Sequence, residues 1–163
     1  LATFSLKNIP FGAPIKDEGF RWGRGRKKDT QNDKSIAHGG GTRGINFNLF
    51  QMARKAQPDL AVIDGYTGMQ GNGPVGGNPV EHRVCVVSQD WLAADRVAVE
   101  LMGIDPSDIG WMTYCAEANM RQTDLNQIEI LGENIAGHKK SYQLSDTIQK
   151  QLTWKEPMKD VNG

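Results

Sequence analysis

The residues of this chain best suited to chemistry are three carboxylates, one histidine and a run of glycines. Asp64 closes the apolar run "DLAVID". Asp90 and Asp95 both fall within "SQDWLAADRVAVELM", and His38 stands directly before "GGGTRG". From Gly65 to Gly77, six of thirteen residues are glycine. Glycine loses more backbone freedom on folding than any other residue, so such a density demands either an unusual backbone shape or a close approach. The run does not read as GxxxxGK[ST]. Nor is it a dinucleotide fingerprint, because "NPVEHRVCVVS" leads onward into a strand and not into a helix. Two readings stay open: a backbone nest for an anion, or an irregular turn packed on a second segment. Asp64 is placed where open α/β sheets put their sites, beyond the carboxyl end of a strand.

Asp95 raises a separate question. On a helical wheel it falls between Val99 and Met102 and close to Trp91, while Arg96 and Glu100 form the polar edge at i,i+4 spacing. A carboxylate facing a core stripe must be paired, hydrogen-bonded or neutralised. It is either a structural acid bound by backbone N–H groups or a site residue at the base of a pocket. The glycine run is the expected source of those N–H groups. His38, His82 and His138 show no HxxH or HExxH spacing, so a zinc site has no local support, and all three read first as surface or loop histidines. Cys85 and Cys115 read as buried free thiols; there is no CxxC, and this chain alone ligates no iron–sulfur cluster.

The elements that position these residues alternate between strand and helix. Residues 1–15 read as a short strand and a loop. Residues 16–43 read as a long, polar, mobile arm, in which "RWGRGRKK" puts five basic residues in eight positions. Apolar spacing predicts a helix over 45–56, ended by Pro58. "DLAVID" and "RVCVVS" read as neighbouring central strands covered on both faces. Residues 91–102 read as a helix capped by Asp90 and stopped by Gly103. A further helix is expected over 106–121, a third strand at "QIEILG", and a polar tail over 137–163 with a short helix at 145–152. The expected fold is α/β, one domain over 1–163: a layered sheet with helices packed on it and a long irregular polar arm near the N-terminus. The formal net charge is zero over 163 residues, which gives no global field toward nucleic acid or membrane. No apolar run is long enough for a membrane span. A cytoplasmic location is expected, with an upstream signal left open by the start at Leu1.

"SLKN", "DLAVIDGYTGMQGNGPVGG", "SQDWLAADRVAVELMGIDPSDIG" and "DLNQIEILG" occur in that order. Together they resemble the C-terminal portion of the domain of unknown function 362 family, from about Phe4 to Gly132. The resemblance implies a fragment of a longer protein, with a further N-terminal α/β portion. It also implies a ferredoxin-like iron–sulfur module as partner; an oligomer is a further option. By position it implies a shared cleft. Lys7 and Asn8 stand at the family's LKN motif, and Gly71, Asn72, Gly73 and Pro74 lie in its glycine loop. Asp90 and Asp95 stand at its acid pair, and His38 resembles a histidine that precedes the long helix. The functional expectation is an enzyme or enzyme subunit that binds a small anion or a Mg-type metal. Lys7, His38 and the glycine-loop amides would hold the anion, with Asp64 or Asp95 as acid, base or metal ligand. The alternative is a non-catalytic electron-transfer or assembly partner that docks an iron–sulfur protein through Arg21–Lys28.

Overall fold

The structure, a computed structural model, describes residues 4–12 and 33–157. In chain order these form helices α1 (Ser5–Gly12), α2 (Asp33–Ala37) and α3 (Gly41–Ala53), then strands β1 (Ala61–Asn72) and β2 (Gly76–Ser88). Helices α4 (Trp91–Leu101), α5 (Gly110–Glu117), α6 (Ile135–His138) and α7 (Ile148–Leu152) follow, with single 3-10 turns at Pro106–Asp108, Leu125–Gln127 and Thr153–Lys155. The class is α/β, with helices layered on a sheet. That sheet is one long antiparallel hairpin of two strands.

Helix α4 is the hub. Asp90 caps it, its carboxylate accepting from Leu92 N and Ala93 N at 3.0 Å each. This meets two of the four donors that every helix start leaves free. Gly103 ends it at φ 64, the left-handed conformation that suits a helix terminator. Nine of its eleven residues are buried. The core it anchors holds Leu6 of α1, Leu49 and Ala53 of α3, Trp91, Leu92 and Val99 of α4, and Trp111, Met112 and Cys115 of α5. Trp91 and Trp111 stack with ring centroids 6.5 Å apart. Asn46 of α3 is buried; its Oδ1 accepts from Trp111 N and ties α3 to α5, while its Nδ2 donates to Thr42 O within α3.

Several expectations are corrected. "DLAVID" and "RVCVVS" are neighbours, with Asp64 opposite Cys85 and Val62 opposite Val87. They are not central strands, because in a two-stranded sheet each is an edge. Ile63 and Val86 pack on the core, while Val62 and Val87 are each 60 % exposed on the opposite face. Cys85 lies on that open face and is exposed, whereas Cys115 is buried as expected. The stretch from Gly65 to Asn72 is not a loop but the second half of β1, and Asp64 therefore lies within a strand and not at its end. Residues 5–12 are helical, not a strand. Part of the expected arm is also helical, in α2 and the start of α3, and Arg21–Lys28 lie outside the described residues. "QIEILG" forms no strand; a 3-10 turn covers Leu125–Gln127. The helix expected over 106–121 divides into a 3-10 turn and α5.

Candidate functional site

Two of the glycines, Gly68 and Gly71, are explained by a segment about seventy residues downstream. After α6, residues 139–147 run back across the hairpin as a strap. Lys140 N donates to Leu101 O and Tyr142 N to Met102 O, which fixes the strap to the end of α4. The Lys140 ammonium donates to Glu81 O on β2. Gly71 N donates to Gln143 O at 2.9 Å, and Gln143 N donates to Gln70 Oε1 at 2.9 Å. Asn72 Oδ1 accepts from Asp146 N and Ser145 Oγ, while its Nδ2 donates to Asp146 Oδ2 at 2.7 Å. Gly71 takes φ 75, a conformation that carries a steric cost for a residue with a Cβ. Gly68 is needed for space: a Cβ there would overlap the Tyr142 hydroxyl and come within 2.9 Å of ring atoms Cε2 and Cζ.

Beneath the strap, Tyr142 meets His82. His82 is buried on β2, with Nδ1 2.9 Å from Tyr142 Oη and Nε2 2.7 Å from His138 O. A histidine read from sequence as a surface residue is therefore a fully bonded interior group. The available signal was its strand position, two residues before Val84 and four before Val86, on the same side of an alternating strand. Tyr142 carried no comparable signal. Burial raises the pKa of its phenol.

The hairpin, the strap, α1, α3 and the end of α4 enclose a cavity of about 730 Å³. Of the anticipated site residues, Lys7, His38, Asp64, Gly71 and Gly73 border it, as do His82 and Tyr142, and much of the remaining wall is apolar, with Phe4, Ile45, Ile63, Val86 and Leu101. Asp108 also borders it, but its Oδ1 pairs with Lys155 Nζ at 2.5 Å. Lys7 has no ion pair among the described residues. Asp64 borders the cavity, yet strand alternation puts its side chain on the open face with Val62 and Tyr66, where its Oδ1 accepts from Tyr66 N at 2.9 Å.

The other anticipated residues fall elsewhere. Asn8 is exposed and outside the cavity wall. Asn72 holds the strap. Asp90 caps α4, and its second oxygen accepts from Gln122 N. Asp95 is fully buried, as its wheel position required, but its partners are not in the glycine run. One oxygen accepts from Ser5 N at 2.9 Å and Ser5 Oγ at 2.6 Å, and the other from Leu6 N at 3.3 Å. The carboxylate thus sits on the first turn of α1, where free N–H groups and the helix dipole favour an anion. Burial raises its pKa to about 6, against those three hydrogen bonds, which lower it. The glycine amides are also occupied: Gly71 N by the strap and Gly73 N by Gly71 O. Among the described residues no three His, Cys, Asp or Glu side chains group to hold a metal ion, and Asp64 and Asp95 do not meet.

The N-terminal two thirds of the chain, with help from the tail, thus form a hub helix, a glycine-rich hairpin and a strapped cavity. The family described as Domain of unknown function (DUF362) matches residues 1–100, and the chain belongs to that family. It is also similar to the Thylakoid-associated protein sll1697 of Synechocystis sp. (strain ATCC 27184 / PCC 6803 / Kazusa), 36% identical over 64 residues. That match takes in 39% of this chain and 20% of the relative, so the chain spans a minor part of the relative's length. No solved structure matches. No helix among the described residues is long and apolar enough to cross a membrane.

Proposed function

We propose that this domain binds a small organic anion, a carboxylate with an apolar body, in the cavity between the hairpin and the strap. The observation that supports this is Lys7: an ammonium without an ion pair among the described residues, on the wall of a cavity with many apolar side chains. Pockets for small molecules have this make-up, with apolar walls and few polar groups to fix orientation. His38 adds a polar group at the same wall. The amides of Gly71 and Gly73 have no part in this reading, since the strap and the turn already use them, and neither has Asp95, which the cavity does not reach. The same reading leaves the metal aside, because it needs no grouped carboxylates.

Calorimetric titration with hexanoate and with hexanol tests it. Hexanoate is expected to bind and hexanol to bind at least tenfold more weakly. Lys7→Met is expected to remove that difference, as the loss of one charge-assisted contact worth about 1.5–3 kcal/mol. Equal binding of the two compounds, or binding of neither, would refute the proposal.

A further inference from the structure

The His82–Tyr142 pair fixes what kind of second group a ligand in this cavity can offer, an inference that rests on the binding site proposed above. A backbone carbonyl can only accept a hydrogen bond. His82 Nε2 lies 2.7 Å from His138 O, so Nε2 carries the proton. In the neutral imidazole Nδ1 is then an acceptor. Tyr142 Oη, 2.9 Å from Nδ1, must donate to it. The phenol has a single proton, and that proton is committed to the histidine. What Tyr142 has left is acceptor capacity, and Tyr142 borders the cavity.

Two features hold the phenol in this state. Tyr142 N is bonded to Met102 O, and the tyrosine and histidine rings lie 5.5 Å apart between centroids. Gly68 leaves room for the hydroxyl against β1, where a Cβ would overlap it. The hydroxyl cannot turn away to donate elsewhere without stranding a buried nitrogen, which costs more than a hydrogen bond gains.

From this chain of bonds we infer that Tyr142 is a specificity-determining acceptor, and that the ligand is a carboxylate which also carries a hydrogen-bond donor, such as a hydroxy acid. A keto acid of the same size presents only acceptors, and would set its oxygen against the phenol's lone pair. Sites built to bond a ligand hydroxyl reject the analogue that lacks it, because the site's own polar group is then left unpaired.

The test compares four probes on the full chain by calorimetry, with hexanoate as reference: 2-hydroxyhexanoate against 2-oxohexanoate, and 5-hydroxyhexanoate against 5-oxohexanoate. At least one hydroxy acid is expected to bind about tenfold or more tightly than its keto partner, as one hydrogen bond to a buried acceptor requires. Tyr142→Phe is expected to bring that ratio to within about twofold, while hexanoate still binds measurably. A second measurement does not depend on the variant folding. Nitrogen shifts of the His82 ring are expected to show Nε2 protonated and Nδ1 bare. No preference at either position, a preference that survives Tyr142→Phe, or the opposite tautomer overturns the inference while leaving hexanoate binding intact. Failure of hexanoate itself to bind removes the binding site, and the inference with it.

Discussion

Helix α4 and the glycine-rich hairpin are adjacent in sequence, and they are held in opposite ways. In α4 the sequence states its own structure. Asp90 caps the first turn, Gly103 ends the last, and the apolar stripe between them finds the core. In the hairpin the local residues argue against order, since glycine is poor in strands. Its far half is shaped by a strap whose contacts lie about sixty to seventy-five residues away in sequence. Contacts between near neighbours are cheap to form, whereas distant ones must first meet the entropy of closing a long loop. A helix can therefore be read in isolation, and a glycine hairpin only together with what lies on it.

The largest effect that separates the two is expected at Gly68. Gly68→Val would drive a branched side chain into the Tyr142 hydroxyl and ring. The strap would have to lift, and the His82–Tyr142 bond would break with it. Chemical denaturation is expected to show a loss of about 3 kcal/mol, the upper part of the range for overpacking. Amide exchange should rise in residues 139–147 and in β2 while α4 stays protected. Loss of protection in α4 to the same degree would show that hub and hairpin are one cooperative unit.

Asp95 blurs the contrast, because it belongs to α4 but is bonded to α1. Its pKa is raised to about 6 from 3.8, with burial as the dominant cause. In the native state it holds a proton up to a higher pH than in the unfolded chain. Its contribution to stability is therefore fully present below about pH 4 and is lost as pH rises through about 6. Against Asp95→Asn, which does not titrate, the wild type is expected to gain on the order of 2–3 kcal/mol between pH 7.5 and pH 4. A difference between the two proteins that is flat with pH would show that the hydrogen bonds from Ser5 and Leu6 fully offset the burial.

What the sequence disclosed follows the same division. The helix from Trp91 was legible because period, cap and terminator all lie within fourteen residues. The burial of Asp95 was legible from its wheel position. Its partner was not, since Ser5 lies ninety residues away. Residues 5–12 read as a strand because short, weakly alternating sequence carries little helical signal, and part of what supports α1 is the distant carboxylate. "QIEILG" alternates like a strand, but no described strand pairs with it. The cavity residues Lys7 and His38 were reached through family resemblance, whereas His82 offered only its place on an alternating strand and Tyr142 needed the strap to be seen.

A smaller effect is expected at Asn72. Asn72→Ala removes the amide that binds Ser145 and Asp146, all of it exposed. Exposed hydrogen bonds contribute little because water replaces them, so the loss should be about 0.5–1.5 kcal/mol. Its signature is local: faster exchange around residues 143–147, with β1 near Ala61 unchanged. An effect as large as that of Gly68→Val would mean that the Ser145–Asp146 end of the strap, and not the Tyr142 contact, holds the hairpin closed.

The smallest effect is expected on the open face of the sheet. Val62 and Val87 face each other across the strands, and each is 60 % exposed, so little of their apolar surface is removed from water by the fold described here. Substituting both with threonine keeps the branched shape that strands favour and makes that surface polar. In the isolated chain the double variant should change stability by no more than about 0.5 kcal/mol, as surface substitutions usually do. The inner pair gives the contrast. Ile63 and Val86 pack on the core, and Ile63→Thr should cost more, on the order of 1–3 kcal/mol, since apolar contact with the core is then lost and a polar group is set against it. Equal costs on the two faces would mean that the outer valines are covered in solution by another surface. The open face of the sheet would then be packed, and the hairpin would be held from both sides.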